Sequence, residues 1–449
     1  MKERFDWFWV EGQVTQTRAL WLDCAACRWP GGPRFDRHEQ REREKAYDDG
    51  LHAVEREARK APRNRAERLQ AQQRVVAVFP RFAAIALGLE GDAVHLLTEG
   101  FLPIGTQLAR WAKRYDPALG TADLIQACRN AWTASGLQEL LGQPMRLSPS
   151  ILGYSLLYPY SDNYLDHLSI ANAEKLEFSA RFRERLCGVK LPARNRHEAA
   201  VWAMVQLIES EYSHERYPQV FECLLAIHRA QELSIAQLKA SGDCSDEELL
   251  RISCAKGGTS VLADACLVHG GLDEEESRLA FEWGALLQLG DDLQDVREDL
   301  QHGSATLFSR VAAAGQALDG LVMQLLNFSD RVAARIDRSP HGSAMLKDLL
   351  RMSWRNLILM AVAGEQEFFS RRLLAELEAS SPFRLDFLSA RGKRYAGKQG
   401  LYSVLFDAFL EAGDKGDGGL PMPQGSLESR VVEVSDSAPA PMAAGSSRC

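Results

Sequence analysis

The feature that most constrains the fold is the spacing of apolar residues between positions 76 and 412. They recur every three or four residues, as in the stripe formed by Val201, Val205 and Ile208. This period places side chains on one face of a helix, whereas a strand would require strict alternation, which is not sustained anywhere in the chain. Glycines and prolines fall between the stripes, for example at Pro192 and Gly270-Gly271. The sequence therefore predicts an all-α fold.

The chain is predicted to have three parts. Residues 1–75 form a helical extension, residues 76–412 form one α-helical domain, and residues 413–449, rich in Gly, Pro, Ser and Ala, form a disordered tail. Charges alternate in sign over residues 34–75, which is typical of a solvated helix with ion pairs one turn apart. The 53 Lys and Arg against 61 Asp and Glu give a net charge of −8, so we expect no nucleic-acid partner.

Composition also bears on the compartment. The nine cysteines are an odd number, and most lie in apolar, helical-looking stretches, as expected for a reducing environment. The N-terminal segment is broken by charges and cannot be the apolar region of a signal peptide. No uncharged apolar run reaches the roughly 18–20 residues that a membrane span requires. We therefore expect a cytoplasmic protein without a transmembrane segment.

Two acidic segments are the strongest candidates for a functional site. Asp162 and Asp166 in the first segment are one helical turn apart, and Asp291, Asp295 and Asp299 in the second extend the same spacing over two turns. Each segment begins where an uncharged, largely apolar stretch ends, at residues 147–161 and 283–290. Stacked like charges at the end of a buried helix repel one another, so something cationic must offset them.

Clustered aspartates supply hard oxygen ligands, which suit Mg²⁺ ions that retain water and bind substrate phosphates. Two such helices facing each other could hold metal ions around a diphosphate and neutralise it as a carbon–oxygen bond ionises. A structural calcium site, or charged helix ends at a rim, is the alternative. A third segment places Lys256 beside a Gly257-Gly258 break in an apolar helix, from which the lysine could reach an anion, although a plain helix boundary fits the same residues.

These segments resemble the class I isoprenoid synthases, and among them the large bacterial terpene synthases related to tetraprenyl-β-curcumene synthase. Asp162-Asn-Tyr-Leu-Asp166 is similar to the first aspartate motif of the superfamily, and the segment from Gln288 to Asp299 is similar to the second. Lys256-Gly-Gly falls at the kinked helix that carries a diphosphate sensor, and Arg394-Tyr395 is similar to a C-terminal Arg-Tyr pair. The resemblance covers roughly residues 75–410.

The resemblance implies an α-helical bundle around a central cavity, with Mg²⁺, three ions in all, as the cofactor. It also implies a role for each matching residue. Catalysis would depend on Asp162, Asp166, Asp291 and Asp295. The metal ions would be bound by Asp162, Asp166, Asp291, Asp295 and Asp299, supported by Asp292 or Glu298. The diphosphate would be bound by Lys256, Arg251, Arg394 and Tyr395.

The implied activity is that of a terpene synthase, a carbon–oxygen lyase that ionises one prenyl diphosphate and converts the carbocation to a terpene. The Gly-Gly-Lys-Arg-type site of chain-elongating synthases is not found upstream of Asp162, which disfavours elongation. Head-to-head condensation, as in squalene and phytoene synthases, stays open. Asn163 replaces the second Asp of the fuller first motif, so a non-catalytic helical binding protein of the same fold is a further alternative. A homodimer is a possible assembly.

A carbocation also needs a dry, aromatic-lined cavity, because water quenches the cation and ring faces stabilise it. Six aromatic residues near the motifs are candidates for lining it, although each also suits an ordinary core position: Tyr154, Tyr158, Phe178, Trp202, Phe281 and Trp283.

Overall fold

The computed structural model describes residues 4–27, 29, 31–60, 64–89, 91–166, 170–237, 244–396, 410 and 420–422. Within these ranges it describes only the backbone at positions 65, 76, 79, 162, 163, 166, 235–237, 395 and 396.

Every regular element in these ranges is a helix, which confirms the predicted all-α class. The helices of the first half are α1 Trp7–Ala25, α2 Arg37–Arg59, α3 Arg65–Phe82, α4 Gly91–His95, α5 Leu102–Tyr115, α6 Thr121–Leu140, α7 Pro149–Leu157, α8 Asn163–Asp166, α9 Asn172–Leu186 and α10 Arg196–Glu211. Those of the second half are α11 Pro218–Gln237, α12 Asp246–His269, α13 Glu274–Gln294, α14 Val296–His302, α15 Leu307–Ala313, α16 Asp319–Arg338, α17 Ala344–Gly364, α18 Arg371–Ala379 and α19 Leu385–Ala396. Shorter π-helical segments are Ala83–Leu87, Leu96–Phe101 and Tyr158–Asp162, and a 3₁₀ turn spans Gln366–Phe368.

Helix α12 lies at the centre of the bundle. From Leu249 to Leu267 nearly all of its side chains are buried, and a helix that is apolar all round must be enclosed by other helices. Helices α11 and α13 pack along it, and α1, α6 and α7 also contact it. Helix α7 in turn packs on α6 and α10. The first predicted acidic segment follows α7 and the second lies at the end of α13, so each adjoins a helix that contacts α12.

The N-terminal helix α1 is part of this same core. Val10, Val14 and Trp21 are buried, and the Trp21 ring packs edge-on against Phe328 with their centroids 5.8 Å apart. Helix α3 runs through positions 75 and 76, where the sequence places the end of the extension. The leading residues are therefore joined to the bundle by packing, and no break in helical structure occurs at that boundary.

Helix α2 carries ion pairs one turn apart, as its alternating charges predict, for example Arg43 with Glu39 and Arg59 with Glu55. However, Glu44 and Glu55 are buried, and they pair with Arg384 and Arg394 near and within α19. Arg384 donates to both carboxylate oxygens of Glu44, with donor–acceptor distances of 2.6–3.0 Å. Sequence spacing shows local partners only, so it could not reveal these partners more than 300 residues away.

Most of the segment predicted to be a disordered tail lies outside the part of the chain that the structure describes. At residues 420–422, Leu420 is buried and the Pro421 carbonyl accepts a hydrogen bond from Trp111 Nε1 at 3.2 Å. Pro421 therefore contacts α5. Among the described helices, none combines the length and the apolar character that crossing a membrane would require.

Candidate active site

Helices α12 and α13 make a close backbone contact at the predicted glycine break. A Cβ atom added to Gly284 would overlap the carbonyl oxygen of Gly257 and would lie 3.0 Å from the Gly258 Cα. A Cβ added to Gly258 would lie 2.5 Å from the Phe281 ring. The expected break in the helix was wrong, because α12 is continuous from Asp246 to His269. The glycines are needed for close approach rather than for a turn.

This contact leads directly into the second acidic segment at the end of α13. Helix α13 ends at Gln294 and α14 begins at Val296, but the backbone hydrogen bonds continue through the junction. The Asp295 amide donates to the Asp291 carbonyl at 2.9 Å, and the Asp299 amide donates to the Asp295 carbonyl at 2.8 Å. The one-turn spacing of the three aspartates is thus retained.

Asp292 anchors this segment to α12. Ser253 Oγ donates to Asp292 Oδ2 at 2.6 Å, and Gln288 Nε2 donates to Oδ1 at 2.9 Å. Burial raises the pKa of Asp292 to about 6, against the lowering effect of these two hydrogen bonds. The side chain therefore faces the helix interface, and it orients its neighbours Asp291 and Asp295 instead of competing with them for a ligand.

Two cations lie beside Asp291. Arg129 Nη2 donates to Asp291 Oδ1 at 3.5 Å, and the Asp291 side chain is 41% exposed. Partial desolvation raises the pKa of Asp291, and the positive charges of Arg129 and Lys256 oppose that rise. The structure therefore brings Lys256, a predicted diphosphate-binding residue, to the second acidic segment. Sequence reasoning missed Arg129, although a lone cation between buried Leu124 and Ala131 of α6 is a signal that could have revealed it.

The remaining carboxylates repel one another. The pKa of Asp295 is raised to about 6 by desolvation and by the charges of Asp291 and Glu298. The pKa of Asp299 is raised to about 7 by desolvation and by the charges of Asp292 and Asp295, while Thr306 Oγ1 donates to it at 3.3 Å. Such crowding is costly unless a cation or a proton is bound.

The first acidic segment follows a widened turn. The π-helical segment Tyr158–Asp162 contains Pro159, which has no N–H to donate to the Ser155 carbonyl and whose ring would clash with it. A π turn relieves this clash, and such turns often occur at functional sites. The structure describes the backbone of Asp162 and Asp166 but not their side chains, so their predicted roles in metal binding stay predictions.

Hydrogen bonds define how this segment runs along α12. Asn130 of α6 bridges helices α7 and α12 by donating to Ser155 Oγ at 3.1 Å and to Asp264 Oδ1 at 3.0 Å. Three positions further along, the Tyr158 hydroxyl is hydrogen-bonded to Ser260 Oγ. The Tyr154 hydroxyl donates to the Ser260 carbonyl at 3.0 Å. The end of α7 and the start of the π turn therefore lie against the turn of α12 that contains Ser260.

These contacts place the start of the first acidic segment near the part of α12 that carries Lys256. Ser260 is four residues from Lys256, so the two residues lie one helical turn apart on the same face. The positive charge of Lys256 also acts on Asp291 and Asp292 of the second segment.

The other predicted diphosphate-binding residues have partners elsewhere. Arg251 donates to both carboxylate oxygens of Glu248 at 2.8–2.9 Å and to Glu11 of α1 at 2.7 Å. Arg394 donates to both carboxylate oxygens of Glu55 at 2.8–2.9 Å. The side chain of Tyr395 lies outside the described atoms. In this conformation Lys256 is the member of the predicted set that the structure places beside the aspartates.

Open space adjoins the second segment, and a small cavity lies near the first. A groove of about 390 Å³ borders Asp295 and Glu298. The cavity, of about 20 Å³, is enclosed by α7, the π turn, α9 and α11, and is lined by Tyr154, Leu157, Tyr158, Ser161, Phe182, Leu186, Leu224, Ile227, His228 and Gln231.

Two of the six aromatic candidates, Tyr154 and Tyr158, line this cavity. Trp283 packs edge-on against Trp354, and Phe178 stacks on Phe182. Phe281 packs against Trp9, and Trp202 stacks on Phe182. These four residues occupy ordinary core positions, which was the alternative to a role in lining the cavity.

The carboxylates at the end of α13 can be assessed as ligands for a magnesium ion. Among the side chains that the structure describes, no group of three or more His, Cys, Asp or Glu is close enough to form a complete metal site. Mg²⁺ usually takes only one or two carboxylates and fills its octahedron with water and substrate phosphates. Asp295 borders an open groove, Asp291 and Asp299 lie one helical turn to either side of it, and the repulsion among these carboxylates favours a bound cation. The residues present fit such an ion.

The raised pKa values predict a specific pH dependence of stability. In the unfolded chain these aspartates titrate near 3.8, whereas folding raises the pKa of Asp295 to about 6 and that of Asp299 to about 7. Their contribution to stability is therefore present below about pH 4 and is lost as the pH rises through about 7. We expect Mg²⁺ with inorganic diphosphate to raise the melting temperature more at pH 8 than at pH 5, since protons and metal compete for the same carboxylates.

The control for this pH effect is the double variant Asp295→Asn with Asp299→Asn. Its melting temperature without metal should depend less on pH between 4 and 7 than that of the unaltered protein. Its response to Mg²⁺ with diphosphate should be small at both pH values. Equal metal-dependent shifts at pH 5 and pH 8 in the unaltered protein would contradict the prediction.

No protein-family model matches this chain, and no curated protein is significantly similar to it.

Proposed function

We propose that this protein is a Mg²⁺-dependent terpene synthase of class I type, which ionises a prenyl diphosphate and converts the carbocation to a terpene with release of diphosphate. The observation that carries the proposal is the cluster of carboxylates and cations at the end of α13. Asp291, Asp295 and Asp299 lie one helical turn apart, desolvation and like charge raise the pKa of Asp295 and of Asp299, and Arg129 and Lys256 are the positive charges that act on Asp291. Carboxylates and a cation around one point suit a metal–diphosphate group.

The residues of the second segment have distinct roles in this proposal. Asp291, Asp295 and Asp299 would hold Mg²⁺ from one side, with Asp162 and Asp166 on the other. The bound metal supplies charge neutralisation for the leaving diphosphate. Lys256 and Arg129 add positive charge where negative charge develops on that group. Asp292, held by Ser253 and Gln288, keeps the segment in place.

The apolar part of the substrate would extend into the cavity behind the π turn. The rings of Tyr154, Tyr158 and Phe182 line it, and those of Tyr154 and Phe182 are buried, which suits a carbocation that water would quench. The cavity holds about 20 Å³, which is room for one water molecule. A prenyl chain is larger, so we expect substrate binding to displace side chains that line it.

The direct test is incubation of the purified full chain with Mg²⁺ and geranyl, farnesyl, geranylgeranyl or geranylfarnesyl diphosphate. Each substrate is run with and without isopentenyl diphosphate, and both the organic extract and the residual diphosphates are analysed. The proposal predicts a hydrocarbon or alcohol from one substrate alone. Longer diphosphates that form only with isopentenyl diphosphate would instead show an elongating prenyltransferase, and a doubled hydrocarbon would show head-to-head condensation.

A binding measurement distinguishes a catalyst from a helical binding protein that has lost the chemistry. A ligand that binds only the folded state must raise the melting temperature. We expect Mg²⁺ with inorganic diphosphate to raise it, and excess chelator to remove the effect. Absence of turnover together with an unmoved melting temperature at saturating ligand would overturn the proposal.

A further inference from the structure

The small cavity behind the π turn contains one basic side chain, the imidazole of His228. The rest of its lining is apolar or aromatic apart from Ser161 and Gln231. His228 is only 2% exposed, and the Phe182 ring meets it edge-on with centroids 5.0 Å apart. Burial in such surroundings disfavours the charged form of the imidazole.

Hydrogen bonds determine which nitrogen of His228 carries the proton. Nε2 lies 3.0 Å from the carbonyl oxygen of Ser179 and 3.2 Å from Ser179 Oγ. A carbonyl oxygen can only accept, so Nε2 bears the hydrogen. Ser179 Oγ itself donates to Glu232 at 2.6 Å, which leaves it free to accept from Nε2. In the neutral ring Nδ1 therefore carries the lone pair.

Nδ1 is buried, and it has no hydrogen-bond partner among the residues that the structure describes. A buried acceptor without a partner costs free energy, which a ligand that enters the cavity and reaches Nδ1 would recover. The neighbouring charges come from two elements: Glu232 of α11 raises the pKa of His228, and Arg183 of α9 lowers it. Burial outweighs both and lowers the pKa, so the imidazole is uncharged near neutral pH and can accept a proton.

The cavity lies directly behind the proposed site of ionisation. Ser161, which lines it, immediately precedes Asp162. Tyr158, also in its lining, is hydrogen-bonded to Ser260, one helical turn from Lys256. A substrate whose diphosphate lies at Lys256 would therefore have its hydrocarbon chain near His228.

We propose that Nδ1 of His228 is the proton acceptor that ends the reaction. This inference rests on the proposed function. After the carbon–oxygen bond breaks and diphosphate leaves with its electron pair, a C–H bond next to the cationic carbon is cleaved. Its electrons form the new C=C bond, and its proton passes to Nδ1, which becomes part of an imidazolium ion. Loss of that proton to diphosphate or solvent regenerates the neutral ring, so atoms and charges balance.

The variant His228→Gln isolates this role. The glutamine amide can still donate to the Ser179 carbonyl in place of Nε2, but it has no basic nitrogen in place of Nδ1. We expect diphosphate release to continue while the original terpene falls at least about 100-fold, the scale of a lost general base. Other alkenes or alcohols from premature quenching should replace it. The control is His214→Gln, since His214 lies outside the cavity and pairs with Glu209.

Two outcomes would overturn the inference. One is an unchanged product from His228→Gln. The other is a proton on Nδ1 of His228 in the unaltered protein, a result that does not depend on the folding of a variant. Selective ¹⁵N labelling of histidine measures this, and we expect a neutral His228 ring with its proton on Nε2. Failure of the proposed function is distinguishable, because then the unaltered protein would release no diphosphate from any prenyl substrate.

Discussion

Asp295→Asn is expected to abolish turnover while leaving the fold intact. Asparagine keeps the size of the side chain but removes the charge that a metal and its diphosphate require. Loss of one group that stabilises developing charge lowers turnover by about 100- to 1,000-fold, and a metal ligand should lie at or above that range. Melting without metal should be unchanged or slightly higher, because the substitution also removes repulsion with Asp291 and Glu298.

This opposite response of activity and stability separates a functional residue from a structural one. The measurements are diphosphate release with the best substrate of the panel and thermal melting in the presence of chelator. Asp348→Asn is the matched control, because Asp348 is 70% exposed on α17 and pairs with Arg351. We expect it to retain full activity. Retained activity in both Asp295→Asn and Asp162→Asn would exclude the proposed metal site.

Gly284→Ala is expected to have the largest effect on stability. The added Cβ would overlap the Gly257 carbonyl oxygen of α12, and backbone cannot rotate away as a side chain can. Overpacking typically lowers the free energy of unfolding by about 1–3 kcal/mol when neighbouring side chains can shift. We therefore expect a loss of at least about 3 kcal/mol here. Any surviving folded protein should also lose activity, because separating α12 from α13 moves Lys256 away from Asp291.

Chemical denaturation monitored by circular dichroism measures this loss. Gly12→Ala is the control, because Gly12 lies in the interior of α1 with no atom within 4 Å of the added Cβ. There the substitution should stabilise the protein by about 0.5–1 kcal/mol, since alanine loses less backbone freedom on folding than glycine. A Gly284→Ala variant as stable as the unaltered protein would show that the helices can separate without cost.

The predictable part of the candidate site is local. The one-turn spacing of Asp291, Asp295 and Asp299 is visible in the sequence, and the helical hydrogen bonds retain it. Lys256 was predicted to bind the diphosphate from beside a break in its helix; that role stays a prediction, whereas the break is absent. The glycines after it do not break the helix; they allow α13 to approach closely enough for Lys256 to influence Asp291.

The unpredicted part depends on contacts between distant segments. Arg129 is separated from Asp291 by 162 positions in the sequence. The carbonyl of Ser179, which sets the tautomer of His228, is 49 positions from that histidine. The burial of Glu55 against Arg394 joins positions 339 apart. Periodicity carries no information about which helix faces which, so none of these pairs could be found by spacing alone.

By itself the sequence determined the all-α class and the two acidic segments at the ends of apolar helices, because both depend on the order of neighbouring residues and on the 3.6-residue period. The tertiary structure decided which cations the acidic segments meet, that the N-terminal helix belongs to the core, and that Arg394 is paired with α2. The physical reason is that burial and charge pairing act through space. Which surfaces lose their water, and which charges then need partners, is settled only when the helices pack.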